Sequence, residues 1–110
     1  ERGMLQDTLI VWMGECGRTP KINPTQGRDH WPDAWSTVLC GGGIKGGQVV
    51  GASGKGGEGV ENRPVTPPEF LATVCSAIGI DPAKENISTI GRPISIVEKG
   101  AQPVKELLTG

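Results

Sequence analysis

The chain has 110 residues and a mass of 11.5 kDa, a size that suits one small domain. Its 11 basic and 12 acidic side chains give a formal net charge of -1, so the charge balance provides no attraction to nucleic acid or to an anionic membrane. The apolar run at residues 8–13 is too short to cross a bilayer. We therefore expect neither a nucleic-acid partner nor a membrane span.

The first predicted element is a β-strand over residues 8–13, directly before Gly14. Its apolar residues are nearly continuous and rich in strand-forming types, a pattern typical of a central parallel strand buried on both faces. A loop then runs from Gly14 to Asp33, and loops of this length are usually either functional or disordered. A second predicted strand covers residues 35–40 and ends at Gly41.

The strongest local signal in the sequence predicts a helix over residues 67–78. Thr66 can cap its first turn, and Glu69, three residues later, completes a capping box. Gly79 can adopt the left-handed conformation that ends many helices. One face of this helix is apolar and is expected to pack against the sheet: Leu71, Val74, Cys75 and Ile78.

The remaining signals are short. They predict an edge strand or hairpin arm at residues 48–50, a mobile solvated loop at 51–59, a strand at 93–97 and one or two helical turns at 104–108. The order of strand, loop, strand, loop and helix makes α/β the predicted fold class. In such sheets ligands bind outside the carboxyl ends of the strands, so we expect a site in the loops that follow Gly14 and Gly41.

Reactive side chains are concentrated in the first of these loops. Glu15 directly follows the predicted buried strand, and Asp29 and His30 add an oxygen and a nitrogen ligand. Together these three side chains could hold a divalent metal. Arg18 and Arg28 could bind a tetrahedral oxyanion through paired N–H donors, a geometry that suits phosphate or sulfate esters.

Simpler interpretations of the same residues stay open. Glu15 with Arg18 can be an ion pair that shapes the loop, and Asp29 with His30 can be a turn held by hydrogen bonds. A third alternative is a salt-bridged loop in which Glu15, Arg18, Arg28 and Asp29 pair with one another. Such a loop leaves no open coordination position.

Two other kinds of site are not indicated. Gly41, Gly43 and Gly46 match a dinucleotide-binding spacing, but no helical periodicity follows them, so no helix N-terminus would receive a phosphate. We therefore expect no nucleotide cofactor. The three cysteines are widely spaced and predict neither a disulfide framework nor a cysteine-rich zinc site: Cys16, Cys40 and Cys75.

The motifs TLIVWMGECGRTPKIN, GRDHW, GGGIKGG, RPVTPPEFLATVCSAIGID and GRPI follow one another along nearly the whole chain. In this order they resemble the C-terminal part of a bacterial family, the domain of unknown function family 1501. That family is similar to the alkaline phosphatase and sulfatase superfamily. The resemblance implies that residues 1–110 are a single unit, the C-terminal part of a larger α/β domain. It also implies hydrolysis of a phosphate or sulfate ester with zinc, manganese or calcium, in an exported bacterial protein.

The resemblance also implies roles for individual residues. Glu15 takes the place of an aspartate in the metal motif of the superfamily, and Cys16 stands where those enzymes have a histidine ligand. His30 resembles the later histidine that completes a metal site, with Asp29 assisting it. The nucleophile would lie upstream of this chain, so we expect these residues alone to be inactive. The partners implied are a small-molecule or glycan ester and the upstream part of the same domain. The alternative is a non-catalytic binding or scaffold domain that keeps the fold without metals.

Overall fold

The computed structural model describes residues 2–110. It contains one α-helix, eight short strands and two short 3-10 turns, at Leu5–Asp7 and Lys105–Leu107. The strands and the helix are, in chain order, β1 Leu9–Trp12, β2 Gly17–Arg18, β3 His30–Trp31, β4 Val38–Gly41, β5 Ala52–Ser53, β6 Val60–Asn62, α1 Pro67–Ala77, β7 Glu85–Ile87 and β8 Pro93–Ser95.

The strands pair into four two-stranded sheets, which are β1 with β4, β2 with β3, β5 with β6, and β7 with β8. The last three pairs are antiparallel. Short strands combined with one helix fit the α/β prediction in its broad sense. The predicted strands at the beginning of the chain correspond to β1 and β4, and the predicted strand at residues 93–97 corresponds to β8.

The described part of the chain forms two compact units. The first unit contains the residues up to Ile10 together with Cys40–Gln48 and Val65–Gly110. The second contains Val11–Leu39 and Val49–Pro64. All the candidate ligands named from the sequence belong to the second unit.

Helix α1 has the start and the end that the sequence predicts. Oγ1 of Thr66 accepts a hydrogen bond from the backbone N–H of Glu69 at 3.4 Å, and Oε2 of Glu69 accepts one from the backbone N–H of Thr66 at 2.8 Å. This reciprocal capping box satisfies two donors that the first turn of a helix leaves without partners. After the helix, Gly79 has a φ of +81°, where a side chain would be strained.

The buried face of α1 differs from the predicted one. Leu71 and Ile78 are 44% and 54% exposed, whereas Ala72 and Thr73 are fully buried. Of the four predicted residues, Cys75 is the one in the core, where it packs with Ala72 and Val97. The buried face differs because α1 packs against a segment that follows it in the chain. Small side chains allow α1 to lie close to the segment around residues 96–104, which the apolar spacing does not specify.

Thr73 completes this contact. Its Oγ1 donates to the backbone carbonyl of Glu69 at 2.7 Å and accepts from the backbone N–H of Val104 at 2.8 Å. Thr73 and Val104 both have no exposed surface, so each hydrogen bond replaces one that water would otherwise make. The hydroxyl of Thr73 thus connects α1 to the segment that contains Val104.

The prediction that β1 is buried on both faces is wrong for this chain. Ile10 and Val11 are 46% and 39% exposed, and Trp12 is 75% exposed. The reason is that a central strand is covered only when further strands and helices surround it. Among residues 2–110, β1 has β4 as its one paired strand.

The glycine-rich middle of the chain is more ordered than the sequence suggests. The predicted strand at residues 48–50 is absent from the described structure, and the region predicted as a mobile loop contains β5 and the turn of an antiparallel hairpin with β6. The backbone N–H of Gly57 donates to the carbonyl of Gly54 at 2.9 Å within this turn, and Gly57 has a φ of +70°. Glycines that the sequence analysis assigned to a mobile loop thus form the turn of a hairpin.

Candidate metal centre

Strands β2 and β3 bring the two ends of the long loop together. They pair antiparallel with Gly17 opposite Trp31 and Arg18 opposite His30. Residues directly opposite on neighbouring strands have side chains close to each other on one face. The pairing therefore places the guanidinium of Arg18 beside the imidazole of His30, although twelve positions separate them in the sequence.

Gly17 permits this close pairing. A methyl group at Gly17 would lie 2.8 Å from the carbonyl oxygen of Trp31 and would also overlap the carbonyl oxygen of Ala34. Both obstacles are backbone atoms, which cannot move aside as a flexible side chain can. A glycine is therefore required here for the backbone to approach so closely.

The loop between β2 and β3 is held by its own polar groups. Oδ1 of Asn23 accepts hydrogen bonds from the backbone N–H groups of Thr25 and Gly27 at 3.1 and 2.9 Å. Near the base of the loop, the backbone N–H of Thr19 donates to the carbonyl of Asp29 at 2.9 Å. In return, Oγ1 of Thr19 accepts from the backbone N–H of Asp29 at 3.1 Å. These bonds fix the loop and the position of β3 beside β2.

Glu15 is the centre of the polar cluster. Its Oε1 lies 3.1 Å from Nε2 of His30 and accepts a hydrogen bond from Nη2 of Arg18 at 3.0 Å. Nη1 of Arg18 also donates to Sγ of Cys16 at 3.7 Å. The potential ligand atoms of Glu15, Cys16 and His30 all lie within 4.8 Å of one another. The sequence prediction that Glu15 and His30 could meet therefore agrees with their positions.

The charges of the cluster influence one another. The pKa of Glu15 is below its ordinary value because a backbone hydrogen bond and the hydrogen bond from Arg18 both stabilise the carboxylate. The pKa of Arg18 is raised, mainly by its hydrogen bond to Glu15. The side chains of Glu15 and His30 are 61% and 72% exposed. Water therefore screens these interactions and has direct access to the cluster.

The donor set suits zinc. A carboxylate oxygen, a thiolate sulfur and an imidazole nitrogen are the three ligand types that zinc binds in proteins, and a site with three protein ligands leaves a fourth position open. Ligand atoms at ordinary zinc distances are about 3.4 Å apart in a tetrahedral site, and Glu15 and His30 are already 3.1 Å apart. Calcium prefers oxygen ligands alone, so the sulfur of Cys16 argues against it.

Asp29 and Arg28 have partners elsewhere in the loop. Oδ1 of Asp29 accepts a hydrogen bond from Nδ2 of Asn23 at 3.0 Å. Nη1 of Arg28 donates to the carbonyls of Thr19 and Pro20, at 2.7 Å for Thr19. Both side chains thus stabilise the loop in the described structure. The predictions that Asp29 assists the metal and that Arg28 binds an oxyanion stay predictions.

Cys16 is the residue that reasoning from the sequence undervalued. Its position beside Glu15 was the available signal, because two adjacent ligands followed by a histidine on a paired strand can converge. The spacing of the cysteines cannot show this, since the third ligand comes from across a sheet rather than from a fixed distance along the chain.

Comparison with known proteins defines the family. The family model for the protein of unknown function DUF1501 matches residues 1–108. The chain belongs to this family. No curated protein and no solved structure matches it. Among residues 2–110, none of the helices has the length and apolar character needed to traverse a bilayer.

Proposed function

We propose that this DUF1501 chain supplies metal ligands to a hydrolase of phosphate or sulfate esters, and that Glu15, Cys16 and His30 hold zinc. The observation that carries the proposal is the 3.1 Å separation between Oε1 of Glu15 and Nε2 of His30, with Sγ of Cys16 in the same cluster. Exposure of the cluster supports a catalytic role over a purely structural one, because a reacting ester needs access to the open coordination position.

The proposal includes an α/β core of the alkaline phosphatase type. Its support is the order of elements, in which the apolar strand β1 leads directly to the loop that begins with Glu15 and Cys16. A short segment thus connects a strand to two ligands, as in α/β folds that carry their sites at strand ends. An exported bacterial protein, as the resemblance implies, is part of the same proposal.

Each residue has a distinct task in this proposal. Bound zinc would act as a Lewis acid on an ester oxygen. His30 must present an unprotonated nitrogen, and Glu15 must be a carboxylate, the form that its hydrogen bonds stabilise. Arg18 holds Glu15 in place and has N–H donors that can bind an ester oxyanion. The nucleophile is expected outside these residues, so the chain alone would bind metal without hydrolysing an ester.

Zinc binding by the 110-residue chain tests the proposal. We expect about one zinc per chain by elemental analysis after dialysis, and a large loss in the variants Glu15→Gln and His30→Ala. Asp33→Asn is a suitable control, because Asp33 is an exposed carboxylate of the same unit outside the ligand cluster. Equal zinc content in the wild type and both ligand variants would contradict the proposal.

The scaffold alternative is favoured by one specific observation. Arg18 donates to both Glu15 and Cys16, so a guanidinium already provides the positive charge that a metal would bring. A loop of this kind can be stable without any metal. The thermal midpoint distinguishes the two functions, because a zinc protein melts at a lower temperature in a chelator and a metal-free scaffold does not.

A further inference from the structure

The second unit contains two hairpins that contact each other. One is formed by β2 and β3 with the loop between them, and the other by β5 and β6. Nε1 of Trp31, on β3, donates a hydrogen bond to the backbone carbonyl of Glu58 at 2.8 Å. Glu58 lies in the turn between β5 and β6. The indole therefore connects the strand that carries His30 to a segment 27 residues further along the chain.

The same two hairpins also approach each other at Gly57 and Pro20. A methyl group built on Gly57 would lie 3.8 Å from Cγ of Pro20, so the turn of the β5–β6 hairpin passes close to the loop that follows β2. Pro20 also accepts a hydrogen bond from Arg28 through its carbonyl. The turn of the β5–β6 hairpin thus lies near both ends of the loop between β2 and β3.

The two side chains of β3 lie on opposite faces of the strand, so Trp31 and His30 can have different roles. His30 is exposed and Trp31 is half-buried, as expected for neighbouring residues of a strand whose side chains point to opposite faces. Trp31 can therefore bind the neighbouring hairpin without occupying the face on which His30 meets Glu15. Because β3 has two residues, fixing Trp31 also fixes the backbone from which the imidazole extends.

We propose that Trp31 is a positioning residue for the metal centre, acting through the hydrogen bond between its indole N–H and the carbonyl of Glu58. The bond holds β3 against the β5–β6 hairpin, so that Nε2 of His30 stays at ligand distance from Oε1 of Glu15. This inference rests on the proposed zinc site. It adds that a glycine-rich hairpin outside the ligand cluster determines how well the cluster is organised before metal binds.

The test compares zinc affinity in three versions of the 110-residue chain. Trp31→Phe keeps an aromatic ring but removes the N–H donor. Thr73→Val removes the acceptor of a buried hydrogen bond in the first unit, and therefore destabilises the protein without touching the site. Affinity is measured by competition with a chromophoric zinc chelator, and cobalt absorption reports the ligand geometry. Thermal midpoints of the metal-free chains report the stability lost in each variant.

We expect Trp31→Phe to weaken zinc binding about tenfold and to change the cobalt spectrum. Thr73→Val should lower the thermal midpoint at least as much, yet leave zinc affinity within about twofold of the wild type. The inference is overturned if Trp31→Phe binds zinc as tightly as the wild type, or if it loses no more affinity than Thr73→Val. If the wild type binds no zinc, the proposed function fails first and the inference fails with it.

Discussion

Arg18 and His30 lie opposite each other on β2 and β3 and both approach the same carboxylate oxygen of Glu15, at 3.0 and 3.1 Å. A metal ion held between Nε2 of His30 and the carboxylate oxygen 3.1 Å from it would bind this same oxygen. Arg18 is therefore both the residue that orders the cluster and the cation that competes with zinc for Glu15. The positive charge of Arg18 should therefore weaken the binding of a metal cation and strengthen the binding of an anionic ester.

Replacing Arg18 by glutamine separates these effects. We expect Arg18→Gln to bind zinc a few-fold more tightly, about threefold at low salt, because a competing positive charge is removed. Binding of inorganic phosphate to the zinc-loaded chain should weaken. Isothermal titration calorimetry measures both. Weaker zinc binding in Arg18→Gln would mean that ordering of Glu15 outweighs charge competition.

Substitutions of Cys16 and Asp29 show which of these two residues is the third metal ligand. Because Cys16 lies in the ligand cluster and Asp29 bonds to Asn23, we expect Cys16→Ser to weaken zinc binding by more than about tenfold. Asp29→Asn should remain within about twofold of the wild type. Absorption of the cobalt-loaded chain checks the same point, since a sulfur-to-cobalt transition should disappear in Cys16→Ser. An unchanged spectrum in that variant would exclude thiolate ligation.

Gly17 makes a prediction about stability and binding together. Gly17→Ala places a methyl group against two backbone carbonyls, so we expect a loss of about 1–3 kcal/mol in the free energy of unfolding and a marked loss of zinc affinity. Gly46→Ala is the matched control, because among the described residues no atom lies within 4 Å of a methyl group at Gly46. Urea denaturation of both variants measures the difference. Similar unfolding curves for the two variants would show that β2 and β3 can move apart without loss of stability.

The capping box of α1 predicts that removing the hydroxyl of Thr66 destabilises the protein and that serine at this position keeps most of the stability. Thr66→Ala removes the acceptor for the backbone N–H of Glu69 and should lower the free energy of unfolding by about 1 kcal/mol. Thr66→Ser keeps the hydroxyl and should recover most of the wild-type stability. Chemical denaturation followed by circular dichroism provides the measurement. If serine and alanine are equally destabilising, the methyl group of Thr66 matters more than its oxygen.

The carboxylate of Glu15 predicts a pH dependence. Its pKa lies below the ordinary value of a glutamate because of a backbone hydrogen bond and the hydrogen bond from Arg18. A carboxyl group with a lowered folded-state pKa stabilises the fold above its unfolded pKa, and this stabilisation disappears as the pH falls through the folded-state value. Carbon-detected NMR titration of the metal-free chain should show the low pKa, and Arg18→Gln should raise it. An identical titration in that variant would remove Arg18 as a cause.

Local chemistry explains which elements could be predicted from the sequence. The start of α1 depends on Thr66 and Glu69, three residues apart, so a short window contains the whole signal. Strands β1 and β4 also correspond to apolar runs. In contrast, β2 and β3 have two residues each and show no periodicity. They pair because hydrogen bonds within the loop between them bring their backbones together.

Tertiary partners explain what the sequence could not show. Which face of α1 is buried depends on the segment that packs against the helix. In that contact, Oγ1 of Thr73 accepts a hydrogen bond from the backbone N–H of Val104. Cys16 lies near His30 because β2 and β3 pair, and no sequence motif indicates this proximity. Asp29 and His30 are adjacent in the sequence, yet successive strand and loop residues point in different directions. Adjacency along the chain alone therefore does not decide ligation: Cys16 lies in the cluster beside Glu15, whereas Asp29 bonds to Asn23.

The exposure of β1 has a practical consequence at the bench. The indole of Trp12 is 75% exposed, so its fluorescence should resemble that of tryptophan in water and shift to shorter wavelength when something covers the strand. The emission of Trp12 therefore reports a polypeptide or additive that covers β1, on top of the emission of Trp31 and Trp35. Concentrated samples of the chain should be handled with mild detergent, because uncovered aromatic and aliphatic groups promote precipitation.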